Sequence, residues 1–232
     1  VLAARGAGAT AYSQQTGKRV FHMDIGGGTA NLALIEDGKI LCTDCLNVGG
    51  RLIKCTETGR ITYISPVLDG LCKFSVGDTV TEADLAPVAQ MLTEVLEMAA
   101  GLRPATELLN RLRTAELGHS QGCSVENAVI SFSGGVADCI DTEHPAFAFG
   151  DMGPVLGRAI RKSRLCAGPY RLGKYTIRAT VIGAVIGAAA CIFTRVYRAV
   201  RTFIRKRFGS ASLVVVTLLF LVVALVGFFS ED

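Results

Sequence analysis

The sequence is poor in the residues that most often announce a metal or hydrolytic centre. It has three histidines, His22, His119 and His144. No two of them form a His pair at metal-ligand spacing, which argues against a zinc site. The one C-x-x-C, Cys42 and Cys45 in "CTDC", has no second pair. On a strand, residues three apart face opposite sides, which is poor geometry for sharing a metal. No glycine loop is followed by Gly-Lys-Ser/Thr, so there is no Walker A motif. The first glycine loop runs into a strand and not a helix, so it is no Rossmann fingerprint either. Internal repeats and low-complexity segments are absent. The opening "VLAARGAGATAYS" has too short an apolar part, and no basic start, to be a signal peptide. It reads as a chain entered partway.

Residues 1–194 also lack net charge. Arg195, Arg198, Arg201, Arg205, Lys206, Arg207, Glu231 and Asp232 together account for the whole net charge of +4. A neutral body gives no electrostatic footprint for nucleic acid, and no nucleic-acid partner is expected. The eight cysteines suggest free thiols that act as small hydrophobes, not a disulfide framework.

What is present is unevenly distributed. Half the residues are hydrophobic, and residues 213–229, "LVVVTLLFLVVALVGFF", form a run without a charge. At ~1.5 Å per residue, about 17–20 residues cross a bilayer core. We therefore expect a C-terminal transmembrane helix over residues 209–230, preceded by a basic amphipathic helix over 184–208. The flanking charges predict a cytosolic (cytoplasmic) body anchored in the membrane, with the C-terminus across it.

The body reads as α/β. Residues 19–25 are β-rich, "TANLALIE" is a second strand, and Asp37-Gly38 is a hairpin turn leading to a third, "ILCTDCLN". Another hairpin is expected through Thr58-Gly59. Thr81 and Asp84 resemble a capping box, after which Leu85, Val88, Leu92, Val95, Leu96 and Ala99 recur at helical spacing. A second helix is expected through "PATELLNRLRTAEL", and "NAVISFSGGVADCI" returns to strand and a glycine turn. Asp151 is placed to cap a helix through "MGPVLGRAIRKS", with Pro154 in its first turn. "KYTIRATVIGA" reads as a late strand.

Two glycine loops carry the chemistry. In "DIGGGT", Asp24 ends a buried strand, and Gly26, Gly27 and Gly28 let successive N–H groups converge on a phosphate. Thr29 can add a hydroxyl. Asp24 suits a carboxylate that holds Mg²⁺ through water. A glycine-rich hairpin is the plainer reading of this loop alone. About a hundred residues on, "SFSGGVAD" places Ser133, Gly134, Gly135 and Val136 after another apolar strand. Arg51, after Gly49-Gly50, is as readily a surface arginine as a nucleotide contact. His22 reads as a satisfied core or edge histidine.

Two strand-ending glycine loops in this order resemble the phosphate-2 and adenosine motifs of the actin-like ATPases, whose fold is ribonuclease H-like. More narrowly, "RGAGATAYS", "DIGGGTANLALIEDGKI", "CLNVGGRLI", "VISFSGGVADCI", "FAFGDMGPVLGRAI" and "TIRATVIGA" are together similar to the ethanolamine ammonia-lyase reactivating factors, the EutA family of ethanolamine utilization proteins. The likeness runs from about residue 3 to residue 183. It implies that residues 1–183 are a partial actin-like ATPase domain. The resemblance implies ATPase activity, but the family's phosphate-1 hairpin is not among these residues, so the sequence does not establish hydrolysis by them alone.

The resemblance further implies ATP and Mg²⁺ as cofactors. Asp24 would serve as catalytic and metal residue, Gly26, Gly27, Gly28 and Thr29 would face the β- and γ-phosphates, and Ser133, Gly134, Gly135 and Val136 would lie beside ribose and α-phosphate. The implied function is a chaperone-like ATPase that partners ethanolamine ammonia-lyase and releases damaged cobalamin from it. The alternative is a membrane-anchored actin-like nucleotide-binding scaffold. A small-molecule kinase of this fold needs a catalytic Asp that no segment supplies.

Overall fold

The computed structural model describes residues 2–114, 125 and 127–173. All fall in the first of two compact units, Val1–Thr176 and Ile177–Asp232. The chain opens with two short helices, α1 (Leu2–Gly6) and α2 (Ala9–Thr16). Three strands follow, β1 (Val20–Ile25), β2 (Ala30–Glu36) and β3 (Lys39–Leu46). A small hairpin comes next, β4 (Ile53–Cys55) and β5 (Ile61–Ile64), then the helices α3 (Glu82–Ala99) and α4 (Glu107–Leu112). The described residues end with β6 (Val129–Ser133), α5 (Gly153–Arg161) and β7 (Tyr170–Leu172).

The main sheet has the order β3-β2-β1-β6-β7. The first three strands form an antiparallel meander, while β6 runs parallel to β1 and β7 parallel to β6. Helices pack against this mixed sheet, so the expected α/β class holds for the described residues. Asp37 and Gly38, at φ 49° and 75°, make the two-residue turn between β2 and β3. Positive φ at both positions matches the twist of the strands it joins.

β1 is buried along nearly its whole length, as expected for a strand covered on both faces. On one side α1 and α2 bring Ala4 and Ala9 against Val20, Ala33 and Ile35. On the other, α3, α5 and the second hairpin bury the larger core. α3 begins with the expected capping box: Asp84 N–H donates to Thr81 Oγ1, and the Thr81 N–H donates to Asp84 Oδ2. Those two bonds satisfy donors that an uncapped helix start leaves open. α4 stops sooner than the sequence pattern suggests, because Arg113 and Thr114 pair with β3. Leu46 bridges Arg113, Thr114 N–H donates to the Cys45 carbonyl, and Arg113 Nε reaches Asp44 Oδ2 at 2.9 Å.

Three expectations need correction. The C-terminal transmembrane helix, with membrane partnership through residues 209–230, is not supported. Among the described residues no helix is long and apolar enough to cross a membrane. The longest, α3, has 18 residues and carries Glu82, Asp84, Glu94 and Glu97. Residues 184–208 and 209–230 lie outside the described residues, as does the whole of the expected late strand. Second, the cysteines are not all free thiols: Cys45, Cys55, Cys72, Cys139 and Cys166 are free, but Cys42 is disulfide-bonded. Third, α1 and α2 were not anticipated.

α5 packs tightly on the 3₁₀ turn Ala137–Cys139. A Cβ on Gly157 would lie 2.6 Å from Cys139 Cβ and 2.7 Å from its carbonyl oxygen. Gly157→Ala should therefore destabilise the protein by about 1–3 kcal/mol, the usual cost of overpacking. Gly168→Ala, whose Cβ meets nothing within 4 Å, should stay within about 0.5 kcal/mol of the parent. Urea-unfolding midpoints of the two variants check this contact.

Candidate functional site

The parallel register of β1 and β6 sets Asp24 beside Ser133 and His22 beside Ser131. Alternate residues share a strand face, so all four side chains lie on one side of the sheet. Ser133 Oγ donates to Asp24 Oδ1 at 2.7 Å. With its proton spent there, Ser133 accepts from His22 Nε2 at 3.1 Å. His22 Nδ1 then accepts from Ser131 Oγ at 3.2 Å, because a neutral imidazole has one donor and one acceptor. Burial pushes the His22 pKa down to about 4, against the opposing attraction of Asp24. The ring is neutral at pH 7 and its polar atoms are paired, as a core histidine requires.

The loop after β1 is held from both ends. Gly26 N–H donates to the Thr29 carbonyl at 3.0 Å and closes the turn. Gly50 N–H and Arg51 N–H donate to the Gly26 and Gly27 carbonyls at 3.1 and 2.6 Å. The two segments come so close that a Cβ on Gly49 would sit 2.4 Å from the Gly27 oxygen. Among the described residues the Gly27 and Gly28 N–H groups make no backbone hydrogen bond. Such N–H groups on a tight glycine turn are suited to an anion.

The second glycine loop docks on the end of β1. Val136 N–H donates to the Ile25 carbonyl at 3.2 Å, and Gly134 adopts φ 92° with its would-be Cβ 2.4 Å from that oxygen. Only glycine fits this position. The start of α5 completes the ring. Met152 N–H donates to the Gly50 and Ile53 carbonyls, and Asp151 Oδ1 accepts from Gly153 N–H at 2.8 Å. Asp151 is not the cap residue expected from the sequence: Met152 holds that position and α5 begins at Gly153, whose N–H the Asp151 carboxylate takes from one residue further out.

These segments enclose a cavity of about 330 Å³, at the small end of the range for ligand sites. Gly26 and Gly27 from the first loop line it, with Gly135 and Val136 from the second. Asp24 and Ser133 lie behind them, bonded to each other. Gly28 is exposed at the loop tip, Thr29 leads into β2, and Gly134 serves the turn; none of the three lines the cavity. Sequence reasoning named Arg51 but missed six further lining residues: Gly50, Asp138, Cys139, Phe149, Asp151 and Gly153. The signals were the second Gly-Gly before Arg51 and the "DMGP" turn, which the sequence offered as a joint and a helix start and not as cavity walls.

Two chemistries can be tested against this lining. Burial, then the charges of Asp138 and Asp151, raises the Cys139 thiol to about 11. It is a wall of the cavity and no nucleophile. Among the described residues no cluster of three or more His, Cys, Asp or Glu could hold a metal ion. A lone Asp24 fits Mg²⁺ only as the water-mediated partner of a metal held chiefly by phosphate oxygens.

Comparison with known proteins follows the same segments. The family model described as "Ethanolamine utilisation protein EutA" matches residues 1–191. Over 195 residues the chain is 38% identical to "Ethanolamine ammonia-lyase reactivase EutA" of Escherichia coli (strain K12). It is 37% identical over 196 residues to the protein of the same name from Salmonella typhimurium. Each alignment covers 79% of this chain and 40% of the relative, so the chain spans about two fifths of the length of the curated relatives it matches. Among solved structures, MreB 5 of Spiroplasma citri bound to AMPPNP aligns over 59% of this chain and 46% of its own, at 18% identity and a TM-score of 0.32. A likeness at that score carries no argument.

The depressed His22 pKa makes stability depend on pH with a defined sign. Between about 4 and the ordinary 6.5, the unfolded chain binds a proton that the folded chain refuses. Stability is therefore complete above about pH 6.5 and falls as pH drops toward 4, by on the order of 3 kcal/mol. His22→Gln should remove this component of the slope, read from urea unfolding at stepped pH.

Proposed function

The chain belongs to the ethanolamine utilisation protein EutA family, and from that premise we propose that it binds a nucleoside triphosphate in the cavity and acts in reactivating ethanolamine ammonia-lyase. The observation that carries the proposal is the meeting of the two glycine loops. They are about a hundred residues apart in sequence, yet Gly26 and Gly27 share one small cavity with Gly135 and Val136.

In this reading the N–H groups of Gly27 and Gly28 hold the outer phosphates, and Gly135 and Val136 lie beside ribose and the inner phosphate. Thr29 supports the loop through its carbonyl, which Gly26 N–H engages. Bound with the nucleotide, Mg²⁺ would neutralise phosphate charge. Asp24 would order water toward it, its carboxylate held in orientation by Ser133. Catalysis of phosphoryl transfer is mostly positioning and electrostatics, so the site needs no covalent nucleophile. The proposed consequence of nucleotide turnover is a change in affinity for the lyase that lets damaged cobalamin leave. The scaffold alternative depended on a membrane anchor, and no observation now favours it.

Asp24→Asn should lower Mg-ATP affinity about tenfold or more, the scale of one charge-assisted contact, in a fluorescent-nucleotide titration of the full chain. Equal affinity in the two proteins would remove the proposed role of Asp24. For the partner, immobilised ethanolamine ammonia-lyase carrying inactivated cobalamin should retain the chain to an extent that differs between ATP and ADP. Absence of retention with either nucleotide would sink the lyase assignment for this chain.

A further inference from the structure

Among the described residues Arg51 is the only basic side chain in the cavity lining, and its surroundings offer two positions for it. Its backbone is pinned, because Arg51 N–H donates to the Gly27 carbonyl at 2.6 Å. Its aliphatic stem lies directly on the loop. A Cβ added to Gly27 would come within 2.9 Å of Arg51 Cδ, 3.2 Å of Cγ and 3.4 Å of Cβ. The guanidinium is thereby carried over the glycine turn whose N–H groups are suited to an anion. Its partner there is Asp151, with Nε 3.5 Å from Oδ2. That distance is long for a charge-assisted hydrogen bond, and the Arg51 side chain is 67% exposed while that of Asp151 is 10% exposed.

The two partners are therefore unequally held. Asp151 is fixed: Oδ1 accepts from Gly153 N–H at 2.8 Å, and its backbone bridges Lys54 of β4. It keeps a hydrogen bond, at the positive end of α5, when Arg51 leaves. Arg51 gives up only a long, solvent-screened pair. A phosphate over Gly27 offers the planar, bidentate recognition that suits guanidinium better.

We infer that Arg51 reads the terminal phosphate: it leaves Asp151 for the last phosphate of a bound nucleoside triphosphate and returns to Asp151 when a diphosphate occupies the cavity. The inference rests on the nucleotide-binding reading above and adds to it a residue that tells the two nucleotides apart. Asp151, which also touches the start of α5 and the second hairpin, then senses which nucleotide is bound. Asp138, the other carboxylate lining the cavity, is not paired with Arg51 and stays on the side of the second glycine loop.

The test compares affinities for ATP and ADP, each with Mg²⁺, for the full chain and three variants. Arg51→Met keeps the stem on Gly27 and removes the charge. It should weaken ATP binding about tenfold or more while changing ADP binding by about twofold at most. Arg51→Lys restores charge without the fork and should recover only part of the loss. Asp151→Asn keeps an acceptor for Gly153 N–H but removes the competing charge, so ATP affinity should rise and ADP affinity fall or hold. Equal losses for ATP and ADP in Arg51→Met, or no loss for either, would overturn the inference while leaving nucleotide binding intact. Failure of the unsubstituted chain to bind either nucleotide would overturn the binding reading, and this one with it.

Discussion

The site exists because two backbones approach more closely than any side chain allows. The carbonyls of Gly26 and Gly27 accept from Gly50 and Arg51, and Gly49 passes where a Cβ would overlap the Gly27 oxygen. Those bonds do two things at once. They satisfy carbonyls that would otherwise sit in a crowded joint without partners, and they leave the N–H side of the turn available to the cavity. A glycine loop is flexible by composition. Here it is fixed by its neighbours, which is the state a phosphate cradle needs, since ordering a loose loop would consume binding energy.

Behind the loop, a second constraint holds the carboxylate. His22, Ser131 and Ser133 are essentially buried, and a buried polar atom without a partner costs about 1–3 kcal/mol. The Asp24–Ser133–His22–Ser131 chain gives their facing polar atoms partners. It does so only in the observed register, because a slip of one residue turns each side chain to the opposite face. The interior polar chain therefore specifies how β1 meets β6. That same pairing brings the two glycine loops to adjacent strand ends.

What the sequence made legible follows from the range of the interactions involved. The Asp37-Gly38 turn, the Thr81–Asp84 cap and the apolar stripe of α3 are set by residues a few positions apart, and all were readable. The two glycine loops were readable because each punctuates a strand. α1 and α2 were not, because Ala4, Ala9 and Ser13 bury small surfaces and leave no strong apolar period; their helices are fixed by close packing on Val20 and Ile35. The far side of the cavity was equally hidden. Asp138, Phe149 and Asp151 belong to segments whose local pattern says turn or helix start, and only the fold brings them to Gly27. The end of α4 was missed for a similar reason, since the tie of Arg113 to β3 and Asp44 spans some seventy residues.

α5 is where these constraints converge. Its first N–H groups are held by the Gly50 and Ile53 carbonyls and by the Asp151 carboxylate. One turn on, Gly157 rests against Cys139, which itself follows the second glycine loop. The helix thus touches the joint behind each loop without contributing a large side chain to the cavity. A change in the spacing of the two loops would press on α5, because a Cβ at Gly50 would meet Gly153 Cα at 2.9 Å and one at Gly157 would meet Cys139 at 2.6 Å. Packed interfaces of this kind respond by shifting as units and not by gradual deformation. α5 is thus tied by packing to the joint behind each glycine loop.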